Sequence, residues 1–269
     1  MTAAPRVHLS ALLFAFAAPA AAQVAPNRAT AYLPPTDVTD ARALWVNPGG
    51  LARLQEASVG LDVTVGDPGP GGRVRQLTLG FNSRGFAFGY QRDLFDGAPR
   101  GHTYRAGLAA GHQGLSAGVA VALYRGGSGG TAWDLGMTYL ATPTLTVGGA
   151  VANIGQPTVR GARQEIAYVP GATWQPLGPG AAVSAQGRFS PDTTREGYAF
   201  GARWQGGGRS PVGLLARLDT DRHLRRVAFA FGLSIGASDL LGTVLTTPGN
   251  VSKVDAVSVY GVSTRTITR

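Results

Sequence analysis

The chain has no cysteine, which excludes disulfides, thiolate chemistry and a lipid anchor on a processed N-terminal cysteine. Lysine is nearly absent, with Lys253 alone among 24 basic residues, and charged residues make up only 14% of the chain. A clean apolar helix is missing too. Ala106–Tyr124 carries no formal charge and is long enough to cross a bilayer as a helix. However, Gly107, Gly111, Gly114 and Gly118 interrupt it, and His112-Gln113-Gly114 reads as a turn between two strands.

Catalytic signals are equally sparse. The four histidines are His8, His102, His112 and His223, and none has a serine and a carboxylate at a suggestive local spacing. No metal-ligand spacing is present. Gly69-Pro70-Gly71-Gly72 and Gly126–Gly130 lack the Lys-Ser/Thr of a phosphate loop and read as turns. The expectation is a protein that is not an enzyme, with no catalytic residue, metal or cofactor. Net charge is +9, but the arginines are scattered singly, without a basic helix or a nucleic-acid motif. No nucleic-acid partner is expected; dispersed arginines suit anionic lipid headgroups, lipopolysaccharide included, or a lumen.

What is present starts with an export signal. Arg6 and His8 precede the apolar stretch Leu9–Ala18, Pro19 breaks it, and Ala20-Ala21-Ala22 offers cleavage before Gln23. The remaining part, about 247 residues, alternates apolar and small or polar side chains with a period of two. In Leu224–Ile235, Val227, Phe229, Phe231, Leu233 and Ile235 share one face, and Ala228, Ala230, Gly232 and Ser234 the other. Glycine, 40 of 269 residues, is about twice its usual share and disfavours helix.

Alternation and breakers mark fourteen strands. They lie near Ser58–Val65, Val74–Phe81, Phe86–Arg92, Thr103–Gly111, Leu115–Tyr124, Ala132–Leu140 and Leu145–Ile154. The others lie near Gln164–Trp174, Ala181–Phe189, Gly197–Trp204, Val212–Leu218, Leu224–Ile235, Leu241–Thr247 and Ala256–Thr264. The eighth and thirteenth carry the weakest patterns, so twelve strands is the alternative. Tight turns at Asn82–Gly85, His112–Gly114, Ala141–Thr144 and Gly236–Asp239 contrast with longer loops at Gly66–Arg73, Asp93–Gly101, Arg125–Thr131, Gly155–Arg163 and Pro248–Asp255. An exported chain of this kind is expected to form an all-β, antiparallel, up-and-down transmembrane barrel in a Gram-negative-type outer membrane. Closure would pair every backbone group, as lipid demands. Tyr90, Tyr104, Trp133, Tyr139, Trp174 and Trp204 near strand ends suit interfacial girdles.

The inward face is expected to be small, with Gly60, Gly80, Gly89, Gly107, Gly118, Gly136, Gly148, Gly201 and Gly213 falling on it. Asp62, Arg105, Asp134, Arg188, Arg203, Arg217 and Asp219 fall inward too, because charge facing lipid is costly. Two roles are open for them: knitting strands together, or guiding a substrate.

Residues 1–22 thus read as signal, 23–56 as a segment before the barrel, and 57–269 as the barrel. The middle segment holds Asp40-Ala41-Arg42-Ala43-Leu44-Trp45-Val46-Asn47-Pro48-Gly49-Gly50-Leu51-Ala52. Asn47-Pro48 starts a turn, Gly49-Gly50 permits positive φ, and Leu51 and Ala52 suit packing on a small wall. This run resembles the "A-x-x-x-N-P-A-G-L-A" signature of the FadL-like outer-membrane proteins, including their PorV/PorQ branch. Gly148–Gly155 is similar to that branch's "A-x-x-N-L-G" strand end. Gly49 replaces the usual Ala, the preceding acidic segment is contracted to Asp37–Asp40, and Ile267-Thr268-Arg269 replaces a terminal aromatic, a role left to Tyr260. The resemblance implies a fourteen-stranded barrel with an N-terminal hatch in its lumen. It further implies passage of small or hydrophobic compounds or, alternatively, a non-enzymatic anchor or shuttle binding a secretion-system partner protein.

Overall fold

A computed structural model describes residues 27, 30–54, 56–66, 72–94, 100–126, 128–159, 161–191, 196–207, 211–235, 240–247 and 250–265. The signal residues 1–22 and the Gly236–Asp239 turn lie outside them.

All fourteen strands are present where the alternation puts them. They are β1 (Ala57–Gly66), β2 (Arg73–Ser83), β3 (Phe86–Asp93), β4 (Gly101–His112), β5 (Leu115–Gly126), β6 (Ser128–Thr142) and β7 (Leu145–Ile154). After them come β8 (Ala167–Trp174), β9 (Ala181–Arg188), β10 (Gly197–Gln205), β11 (Val212–Asp221), β12 (Arg226–Ile235), β13 (Leu240–Thr247) and β14 (Asn250–Arg265). Each pairs antiparallel with the strands before and after it. β1 also pairs with β14, from Ala57↔Arg265 to Gly66↔Ala256. Every wall strand therefore has two neighbours, and the described sheet offers no long unpaired edge.

The alternation sorts the faces. In β1, Ser58, Gly60, Asp62, Thr64 and Gly66 are buried, whereas Val59 and Leu61 are exposed. In β12, Phe229, Phe231, Leu233 and Ile235 are exposed opposite buried Ala230 and Gly232. The apolar side chains are thus on the outside, which is the inverse of a water-soluble fold. Tyr104, Trp133, Tyr139, Trp174 and Trp204 are exposed on that outer surface near strand ends.

Four expectations need correction. Arg125–Thr131 is not a loop: β5 runs to Gly126 and β6 starts at Ser128, because the glycine-rich ends continue the ladder as far as Tyr124↔Gly130. Pro248–Asp255 is likewise mostly strand, β14 starting at Asn250. Gln164 precedes rather than begins β8; Ala162–Arg163 instead closes a miniature hairpin with Thr158–Val159, which pairs onto the start of β6. Tyr260 faces inward and is 3% exposed, filling the notch left by Gly60, so it is not an outward aromatic.

The segment before β1 lies against the buried face of the sheet. It forms a helical turn α1 (Ala43–Val46) and a 3-10 turn (Pro48–Ala52), the latter packed on β4, β5 and β6. Tyr32, Leu33, Val38, Leu44 and Leu51 join Ala87, Ala120, Leu215 and Tyr260 in the main apolar cluster. The core thus lies between sheet and segment.

Candidate functional site

The segment and the inner wall meet in two ways. On one side the contact is steric. A methyl added to Gly80 would touch Ala41, and one on Gly89 would press on Leu44 and Trp45 at 2.9 Å. One on Gly107 would reach Leu44 at 2.7 Å, and methyls on Gly118 and Gly136 would overlap Pro48 and Asn47. These wall glycines are vacant because the segment occupies the volume a side chain would need.

All five motif residues Asn47, Pro48, Gly49, Gly50 and Leu51 are buried. Asn47 organises them: its Oδ1 accepts from Gly49 N–H at 3.0 Å, while its amide donates to Pro35 O at 2.7 Å and Met137 O at 3.2 Å. Pro48 occupies the first position of the 3-10 turn, where no N–H is needed. The glycines do a different job from the expected one. Neither Gly49 nor Gly50 has positive φ; Gly49 lies against Gly136 and Met137 backbone, and Gly50 against Val38 O. Close approach requires them. Leu51 O accepts from Asn82, which ties the turn to β2.

Polar contacts accompany this fit and extend beyond it, and most of the inward charges take part. Arg105 pairs with Asp134 at 2.7 Å across the intervening strand, donates to Leu44 O at 2.8 Å, and lies over the Trp45 ring. Both partners are buried, so the pair is a costly arrangement to break: a lone buried charge is destabilising by several kcal/mol. Arg203 holds Asp37 through two contacts, at 2.9 and 3.2 Å. Arg217 is fixed by Asp219 at 2.7 Å and reaches Leu33 O at 3.3 Å. Three of the expected lumen residues, Arg105, Arg203 and Arg217, therefore bond to the segment. Arg188 is exposed at the end of β9. Asp62 is fully buried, accepts from Thr64 at 2.9 Å, and its Oδ2 has no partner.

Several contributors were not singled out from sequence. Asn27 donates to Thr78 at 3.1 Å and Gln91 at 3.0 Å, and Gln91 and Gln76 both donate to Asp93. The inward parity of Thr78, Gln91 and Asp93 was available as a signal; Asn27, the partner of Thr78 and Gln91 from the aperiodic segment, was not. Within the segment, Asp40 and Arg42 form a pair at 2.5 Å, and Arg42 lies 4.8 Å over the Tyr260 ring. Burial disfavours the charge on Asp40, but adjacent Arg42 outweighs it and holds the carboxyl below its usual range.

No group of three or more His, Asp or Glu side chains suited to a metal occurs among the described residues. His102, His112 and His223 sit at separate strand ends or turns.

No protein-family pattern matches the chain, and no curated protein does. The resemblance of residues 40–52 to FadL-like proteins thus rests on those residues and on Gly148–Gly155. Solved structures do match. The CymD monoaromatic hydrocarbon channel superposes with a TM-score of 0.53 at 13% identity, covering 86% of this chain and 93% of that one. The Acinetobacter baumannii outer membrane protein Omp33 gives 0.48 at 8% identity, over 77% and 98%. A mutant Rh. blastica porin gives 0.44 at 8%, over 78% and 99%. At such identity the first likeness concerns the fold alone: an antiparallel, up-and-down sheet.

Proposed function

We propose that the protein is an outer-membrane channel for small or hydrophobic compounds, with residues 23–56 acting as a hatch inside the lumen. The observation that carries this reading is the fit between a row of wall glycines and the segment from Ala41 to Leu51. A barrel whose only task was anchorage could fill its lumen with its own side chains, as small barrels do. Here the wall gives up that volume and a separate stretch of chain takes it. The outward apolar face, the exposed aromatic residues near strand ends and the likeness to an outer-membrane hydrocarbon channel support the membrane and transport parts of the reading. The inner surface supports the solute class: apolar residues of the segment adjoin small wall residues, and Arg105, Arg203 and Arg217 are committed to the segment.

Deleting residues 23–56 should raise the permeability of proteoliposomes to small solutes and aromatic hydrocarbons while the barrel stays folded. Unchanged leakage from a folded deletion protein would count against the reading. If a stoichiometric protein partner also copurified with such a tight barrel, the anchor or shuttle role would replace it.

A further inference from the structure

The outer surface of the barrel carries one row that does not belong to its apolar band. Arg92 of β3 lies directly opposite His102 of β4, and His102 directly opposite Arg125 of β5. The three are on the outward parity, the face of exposed Tyr104 and Leu123. Side chains opposite one another on adjacent strands are about 5 Å apart, so the imidazole stands between two guanidinium groups. No Asp or Glu among the described residues lies in this row or in the one below it, which runs Leu79, Tyr90, Tyr104, Leu123 and Thr131.

The row is also partly preorganised. Tyr90 Oη meets His102 Nδ1 at 2.8 Å and its ring stacks near the imidazole, with 6.0 Å between centroids, which leaves Nε2 as the other polar atom of the ring. Arg125 Nη1 donates to Tyr124 O at 2.9 Å, fixing one end of that guanidinium. Arg92 Nε is buried and has no hydrogen-bond partner. A guanidinium N–H left unsatisfied in this way is costly, so the site lacks an acceptor. Exposed Arg100, just before β4, adds a third guanidinium nearby.

From this geometry we infer a binding site for the phosphate of an outer-leaflet glycolipid, with its acyl chains lying along the apolar surface beneath. The inference rests on the outer-membrane reading but not on the channel. Position argues for an outer-leaflet lipid rather than a free anion: the basic row sits at the end of β3–β5 where the longer β3–β4 connection lies, the outward side in barrels with short periplasmic turns, and directly above Tyr90 and Tyr104. Below these come Phe88, Ala106 and Val121 in the next outward row, then Phe86, Leu108 and Val119. A charged row meeting an aromatic row meeting an apolar band is the profile of headgroup, interface and hydrocarbon. Strands about 4.8 Å apart put the outer two side chains within about 10 Å, a span that two arginines can close on one phosphate, bidentately at each guanidinium.

The test is native mass spectrometry of the purified full-length protein titrated with bis-phosphorylated lipid A, its dephosphorylated form and inorganic phosphate. One phosphorylated lipid A should remain bound, and the Arg92→Gln/Arg125→Gln double variant should weaken it about thirtyfold, two cations' worth near an anionic surface. Arg222→Gln, in a distant turn, should bind as the unaltered protein does. Heat-dependent gel mobility checks folding, and Arg125→Gln alone, an exposed change worth about fivefold, serves if the double variant does not fold. Equal retention of lipid A by these variants, or of the dephosphorylated lipid by the unaltered protein, overturns the site. Inorganic phosphate binding as tightly as the lipid overturns the lipid as its source. Solute permeability should be unchanged in the double variant, so loss of the channel reading and loss of this one are separately visible.

Discussion

The β3–β6 and β10–β11 parts of the buried face hold the same segment by different balances of contact. Against β3–β6 shape leads: Leu44, Pro48 and Leu51 occupy hollows at Gly89, Gly107, Gly118 and Gly136, with Arg105 and Asn47 adding hydrogen bonds within that fit. Against β10 and β11 the contact is charge and hydrogen bonding, from Arg203 to Asp37 and from Arg217 to Leu33 O. The two kinds of contact respond differently to solvent. Close packing is short-ranged and indifferent to salt. An ion pair such as Asp37–Arg203, with side chains 14% and 28% exposed, is screened by salt and contributes about 1 kcal/mol at most. The β3–β6 side should therefore stay seated under conditions that loosen the β10–β11 side.

Breaking the shape contact should have the largest effect. In Gly136→Val the first added carbon already overlaps Asn47 Oδ1 and Pro48, and β6 is held by two neighbouring strands. The segment, not the wall, must give way. Trypsin cleavage after Arg42 and Arg53 should rise at least tenfold, and permeability should approach that of the deletion protein. Gly261→Ala, where nothing lies within 4 Å, is the control and should change neither. A Gly136→Val protein with a protected segment would mean that the fit does not hold it.

Loosening the charged contact should do less. Arg203→Met should raise cleavage after Arg53 only about fivefold at low salt. The unaltered protein should approach the same rate as salt is raised to 1 M, whereas the variant should not respond. Asp37→Asn should resemble Arg203→Met, and the double variant should add little, since both remove one interaction. Additive effects would show that Arg203 acts through its bond to Pro179 O instead.

The contrast also explains what could be read from sequence. The strands were legible because a sheet with one apolar face imposes a period of two on each strand, and a register slip in Leu224–Ile235 would move every phenylalanine to the wrong face. Inward charges were legible for the same reason, since Arg105 and Arg217 share the parity opposite the apolar face. Their partners were not, because Leu33 O and Asp37 lie in a stretch with no repeat, 184 and 166 residues away in the chain. Arg125–Thr131 and Pro248–Asp255 were misassigned because glycine and polar residues look like loop wherever a strand extends beyond its apolar band. Gly49 and Gly50 were recognised as necessary for the wrong reason: composition signals small size but cannot distinguish a positive φ from a neighbouring backbone.

The smallest expected effect lies within the segment. Asp40 and Arg42 brace the chain that leads to the motif, and Arg42 in turn covers Tyr260 on β14. The Asp40 carboxyl is held below its usual range in the folded protein. A depressed carboxyl favours the folded state above its unfolded value, about 3.9, and that contribution is lost as pH falls through the lower folded value. Segment protection should therefore be independent of Asp40 from pH 8 to about pH 5 and should weaken below about pH 4. Asp40→Asn should be more cleavable at pH 7 by a fewfold and should lose part of the acid sensitivity, measured as trypsin-nicked fraction after acid incubation and rapid neutralisation. A transition centred near pH 6, or one untouched by Asp40→Asn, would assign the acid response to another group. Because Asp40 and Arg42 stand two residues apart, their pairing shapes the segment itself and adds no bond to the wall, which is why the effect should fall below that of Arg203.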